Sequence, residues 1–180
     1  MINNRSPKSL GALFACAMFA VFACGCSGPS AERMVPEVEA AAKTIAGSLR
    51  VMEVVGEKEE SFGGPSYVTS EQLREALVLT LRESGLFGRV ELDRGELELH
   101  TTVHSQGQKV SRVLQYTGTM VVTYRILDRA GNIVWAESYD TEFSSTAFAG
   151  STRTVRAREG SARENLASLI DGLRKGWPSR

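Results

Sequence analysis

The two histidines, His100 and His104, are four residues apart, a spacing that on a helix would aim both imidazoles at one metal ion. They sit in Glu96-Leu97-Glu98-Leu99-His100-Thr101-Thr102-Val103-His104, where the two leucines and Val103 alternate with polar residues, and a period of two predicts a strand. At about 3.3 Å per residue the imidazoles of a strand stand roughly 13 Å apart, too far for one ion whose Zn–N bonds are about 2.1 Å. No metal and no cofactor is expected. Ser105 and Ser151 are the serines a small hydrolase would have to use, but no Gly-x-Ser-x-Gly surrounds either and no base is placed beside them. The acid pairs Glu57 with Glu59 and Glu96 with Glu98 fit a solvated loop and the wet face of a strand better than general acid–base work. Gly63-Gly64-Pro65 lacks the lysine and hydroxyl of a phosphate loop. Arg153, Arg156, Arg158 and Arg163 cluster near the start of the last helical stretch, where the helix dipole disfavours cations. They read either as a solvated or acid-paired face or as contacts for an anionic partner, a lipid headgroup or a glycan phosphate. The residue chemistry therefore predicts a protein that is not an enzyme.

The cysteines carry a different chemistry. Residues 1–9 hold Arg5 and Lys8 and no acid, and residues 10–23 form an apolar run of 14, the charged and hydrophobic regions of a secretory signal. A bilayer-spanning helix needs roughly 20 residues, so export is the stronger reading. The run ends in Ala23-Cys24-Gly25-Cys26-Ser27, which resembles the bacterial lipobox, where small residues precede a cysteine that is acylated on its thiol and becomes the mature N-terminus. Cys26, after Gly25, fits that pattern; Cys24 is its rival, with bulky Phe22 two residues before it. All three cysteines, Cys16, Cys24 and Cys26, lie at or before this point, so the mature domain can form no internal disulfide. Two acyl chains already anchor a protein stably, and the resemblance implies three. Ser27, where an Asp would be a retention signal in the enterobacterial sorting pattern, implies the outer membrane, periplasmic face.

Charge and composition agree with this address. The whole chain has 21 Lys and Arg against 21 Asp and Glu, and its 42% hydrophobic and 23% charged residues exclude a disordered or polytopic chain. Loss of the leader removes two cations, leaving a slightly acidic domain with no footprint for nucleic acid. Residues 26–47 are expected to be the lipidated N-terminus and a tether, marked by Gly28, Pro29, Ser30 and Pro36, with one or two helical turns in the alanine-rich residues 37–46. Residues 48–177 are expected to form a single domain.

Within that domain, branched residues in 49–55 predict a first strand ending at Gly56, and residues 57–66 have turn chemistry. Thr69-Ser70-Glu71-Gln72 is a capping box opening a helix whose apolar positions Leu73, Ala76, Leu77 and Leu81 recur at three and four, closed by Gly85 and its hydrophobic contact Leu86. Three strands follow: 96–104, then a long alternation from Leu114 to Ile126, then 133–143 after a turn at Asp128–Asn132, with a bulge near Ala136 and Glu137. A last helix carries Val155, Ala162, Leu166, Leu169, Ile170 and Leu173 on one stripe despite Gly160 and Gly172. The expected fold is α+β: a four-stranded, mostly antiparallel sheet with two helices packed on one face.

The lipobox at Cys26, the helix end Ser84-Gly85-Leu86-Phe87, the strand from Tyr116 to Asp128 with Gly131 beyond it, and Arg158-Glu159-Gly160-Ser161-Ala162-Arg163-Glu164-Asn165-Leu166 together resemble a group of small Gram-negative outer-membrane lipoproteins. That group includes the lipoprotein that plugs the lipopolysaccharide translocon and those of curli secretion and penicillin-binding-protein activation. The resemblance implies a non-catalytic, lipid-anchored protein that binds or assembles envelope components, with an envelope protein, glycan or lipid as partner, or a copy of itself. An accessory lipoprotein of an envelope transport system is the alternative, and a small periplasmic hydrolase a more distant one.

Overall fold

The computed structural model describes residues 28–41, 44–56, 67–112, 115–146 and 150–178. The leader, the three cysteines, the Glu57–Glu59 pair, Gly63 to Pro65 and Leu114 lie outside them. The elements are a helical turn α1 (Ala31–Met34), strand β1 (Ile45–Gly56), helix α2 (Ser70–Ser84), strands β2 (Phe87–Glu91), β3 (Leu97–Arg112), β4 (Gln115–Leu127) and β5 (Ile133–Ser145), and helix α3 (Gly150–Gly176). The strands form one sheet in the order β2-β1-β3-β4-β5. β1 runs parallel to both β2 and β3, while β3, β4 and β5 form an antiparallel meander.

The fold class is α+β as expected, but the sheet has five strands and is mixed, not four-stranded and mostly antiparallel. The missed strand is β2. Only Phe87 and Val90 are buried in it, with two exposed residues between them, so it carries no period of two and reads as the tail of the helix cap. α2 is the crossover that lets β2 return parallel to β1, which a tight turn cannot do.

Local chemistry explains the boundaries. Gln72 N donates to Thr69 Oγ1 at 3.2 Å, and Gln72 Oε1 accepts from Thr69 N at 2.9 Å, so the capping box is complete. Gly85 closes α2 in the left-handed conformation, φ 63°. In β3 the pairing with β4 slips between Val103 and Ser105, so His104 is the extra residue of a bulge. The slip reverses which parity faces inward. Leu99, Thr101 and Val103 are buried before it and Gln106 after it, where Gln106 accepts from Val68 N at 3.1 Å and donates to Val68 O at 2.8 Å. The bulge of β5 falls at Val134, between the pairs Ile126 with Trp135 and Leu127 with Ile133, two residues before the expected position.

The buried faces of α2, α3 and the sheet merge in a single apolar cluster that includes Leu77, Leu81, Leu166, Leu169, Leu99 and Tyr124. α3 lies on β4 and β5 at close range. A Cβ on Gly118 of β4 would meet the backbone of Ala157 and Arg158, and one on Gly160 of α3 would enter the Phe143 ring of β5. Asn165, fully buried, ties the same layers: its Oδ1 accepts from the Tyr124 hydroxyl at 2.8 Å and its Nδ2 donates to Tyr139 O at 3.2 Å and Thr141 Oγ1 at 3.1 Å.

The N-terminal segment corrects the tether reading. Pro29, Ala31, Met34 and Pro36 are buried, and Ala31 and Met34 belong to the core cluster. No helix forms in residues 37–41; there Ala41 N donates to Ser84 O at 2.8 Å, and Arg174 donates to Glu39 O. The segment crosses the helix layer from the start of α2 to its end. Its helical turn lies one turn earlier than the alanine-rich stretch because burial of Met34, not alanine content, decides where the chain coils.

Candidate functional site

The segment just past Cys26 is held by three separate bonds. Pro29 O accepts from Gln72 Nε2 at 2.6 Å, Ser30 N donates to Glu159 Oε1 at 2.9 Å, and Arg33 Nη2 donates to Gly28 O at 2.7 Å. Arg33 Nε also pairs with Glu159 at 2.8 Å, where the Glu159 side chain is 3% exposed and the Arg33 side chain 46%. Gln72 therefore closes two structures at once, the capping box of α2 and the seat of the N-terminus. Neither role of Glu159 or Arg33 was legible in the sequence, since they lie 126 residues apart.

The four arginines do not form one site. Arg153 and Arg158 are buried and stack on aromatic rings: the Arg153 guanidinium carbon is 5.0 Å from the centre of Tyr116, and that of Arg158 is 3.5 Å from Tyr67. Arg163 lies 5.9 Å from Phe143, and Arg156 is exposed. Nε and Nη1 of Arg158 have no hydrogen-bond partner among the described residues. Burial lowers its pKa from the ordinary guanidinium range, an effect opposed by Tyr67. The Tyr116 and Tyr67 ring faces attract the two guanidiniums electrostatically. Tyr67, Tyr116 and Phe143 come from three distant segments, so nothing local in the sequence marks them as partners.

Arg156 and Arg163, two helical turns apart, instead line an open groove of about 1030 Å³ between residues 32–37, the end of β5 and α3. Its walls mix Arg33, Arg156 and Arg163 with Glu32, Glu37, Glu159 and Glu164, and Phe143 supplies an apolar patch. Such a surface has no net excess of cations to trap an isolated anion; it suits a ligand or surface that carries both signs.

The remaining candidates are dispersed. His100 Nε2 lies 3.3 Å from Glu98 Oε2, and His104 Nε2 lies 2.7 Å from Thr123 Oγ1, so the two rings have different partners. No cluster of three or more His, Cys, Asp or Glu that could hold a metal occurs among the described residues. Glu96 and Glu98 pair with Arg129 and Arg50 at 3.4 and 3.3 Å, the solvated ion pairs of a strand face. Ser105 is exposed on β3. Among the described residues no helix is long and apolar enough to cross a membrane.

No protein-family model matches the sequence, and no curated protein does. Solved structures do. A Xanthomonas campestris protein of the DUF330 family superposes with a TM-score of 0.61 at 13% identity, covering 78% of this chain and 93% of its own. The fold is a known one. PelC from Paraburkholderia phytofirmans, solved as a dodecamer, gives a TM-score of 0.51 at 16% identity over 76% of this chain and 93% of that one. A minor lipoprotein from Acinetobacter baumannii gives 0.47 at 13% identity over 71% and 92%. The first two likenesses concern the fold alone.

Proposed function

We propose that this chain is a bacterial lipoprotein: exported, acylated at Cys26, held on the periplasmic face of the outer membrane, and acting by binding envelope components rather than by catalysis. The observation that carries the reading is the coincidence of two boundaries. The lipobox-like run ends at Cys26, and Pro29, three residues later, is already buried in the domain. A leader cleaved before Cys26 leaves every described element in the mature chain.

The mixed-charge groove beside that N-terminus is the surface offered to a partner, with Arg156 and Arg163 among its cations. The dodecameric state of PelC supports self-assembly as part of the role; a monomer-only sedimentation profile of the acylated protein in detergent would contradict it. Anchoring is tested by Cys26→Ser in a Gram-negative host. Loss of acyl labelling and release from the membrane fraction are expected, with Cys24→Ser leaving both intact. Unchanged labelling in Cys26→Ser, or loss of it in Cys24→Ser, would overturn the assignment.

A further inference from the structure

The distance between anchor and fold sets how the domain meets the membrane. Only Ser27 separates Cys26 from Gly28, and two residues of extended chain span at most about 7 Å. Gly28, Pro29 and Ser30 are themselves fixed by Arg33, Gln72 and Glu159. The leash is therefore shorter than the breadth of one helix, and the domain cannot stand off from the bilayer as the tether reading would have allowed.

Resting on the reading that Cys26 is acylated, we propose that the acylated protein lies directly on the lipid surface, with residues 28–33, the first turn of α2 and the exposed Arg156 against the headgroups. The seat is at Glu159, about a third of the way along α3. From there α3 runs about 25 Å to Gly176, which lies beside Trp135 next to the β4–β5 turn. In the proposed pose that turn, with the exposed Ala130, is the end remote from the headgroups. Charge does not hold the domain there, since Glu32, Glu37 and Glu164 share the groove with the arginines. The leash does, and zwitterionic headgroups match the mixed charge.

The absence of any cysteine after Cys26 makes the test direct, because Glu71→Cys or Ala130→Cys supplies a single thiol for a fluorophore. Glu71 and Ala130 are both exposed, and Glu71 is next to Gln72 at the seat. Full-length protein, expressed with its leader and purified in acylated form, is placed in phosphatidylethanolamine–phosphatidylglycerol vesicles containing a headgroup-attached quencher. The label at position 71 is expected to be quenched several-fold more than that at 130. A 20-residue Gly/Ser insert between Ser27 and Gly28, with a root-mean-square length of about 25 Å, is expected to bring the two towards equality. Equal quenching at the two positions in vesicle-bound protein, or a ratio untouched by the insert, overturns the proposal and leaves anchoring intact. Protein that does not float with the vesicles overturns both.

Discussion

At Gly160 two rules about single residues point in opposite directions. Replacing a mid-helix glycine by alanine improves helix propensity by about 1 kcal/mol. Here the added methyl would enter the Phe143 ring, and overpacking of that kind costs about 1–3 kcal/mol. Gly160→Ala is expected to lower the unfolding free energy in urea, by up to about 2 kcal/mol; an increase would show that α3 can move off β5 at little cost. The tyrosines set a second residue-level expectation. Burial pushes the pKa of Tyr124 well above the usual phenol range, and burial together with the Glu137 hydrogen bond does the same for Tyr139. The folded chain thus keeps protons that the unfolded chain loses above about pH 10, so stability falls as pH rises through that range. Urea midpoints at pH 8 and pH 10.5 would measure the fall. Tyr124→Phe should flatten it, while leaving Asn165 Oδ1 without its donor.

Gln72 couples two elements, the cap of α2 and the N-terminal segment. Gln72→Glu keeps an oxygen to accept from Thr69 N but removes the N–H that Pro29 O accepts. Hydrogen exchange in residues 30–35 is expected to quicken in this variant while α2 stays protected, whereas Thr69→Ala should destabilise α2 itself by about 0.5–2 kcal/mol. Unchanged exchange in residues 30–35 would show that Glu159 and Arg33 alone hold the segment. What could be read from the sequence divides along the same line between local and distant contacts. The capping box, Gly85 and the alternation of β3 and β4 are local signals, and each is found where it was expected. β2 was missed because Phe87–Glu91 has only two inward residues, spaced like a fragment of helix. The seat of the N-terminus and the aromatic partners of Arg153, Arg158 and Arg163 depend on contacts between distant segments, for which periodicity carries no information. The arginine group, read either as a solvated or acid-paired face or as contacts for an anionic partner, is split between ring stacking and the groove.

For the whole molecule, the electrical balance of the chain acquires a physical meaning. A mature domain with slightly more acids than bases has no excess of cations to hold it on a membrane by charge, so in the proposed state attachment falls to the lipid and a one-residue spacer turns attachment into orientation. The long helix α3 carries that orientation to the far end of the sheet. Anchor and orientation both depend on the chemical state of the mature N-terminus, which intact-mass spectrometry of protein recovered from membranes reads directly. The expected result is a chain beginning at Cys26 whose excess mass equals the acyl groups of a bacterial lipoprotein. A mass starting at Met1, at Cys24, or at an unmodified residue after Cys26 would contradict it.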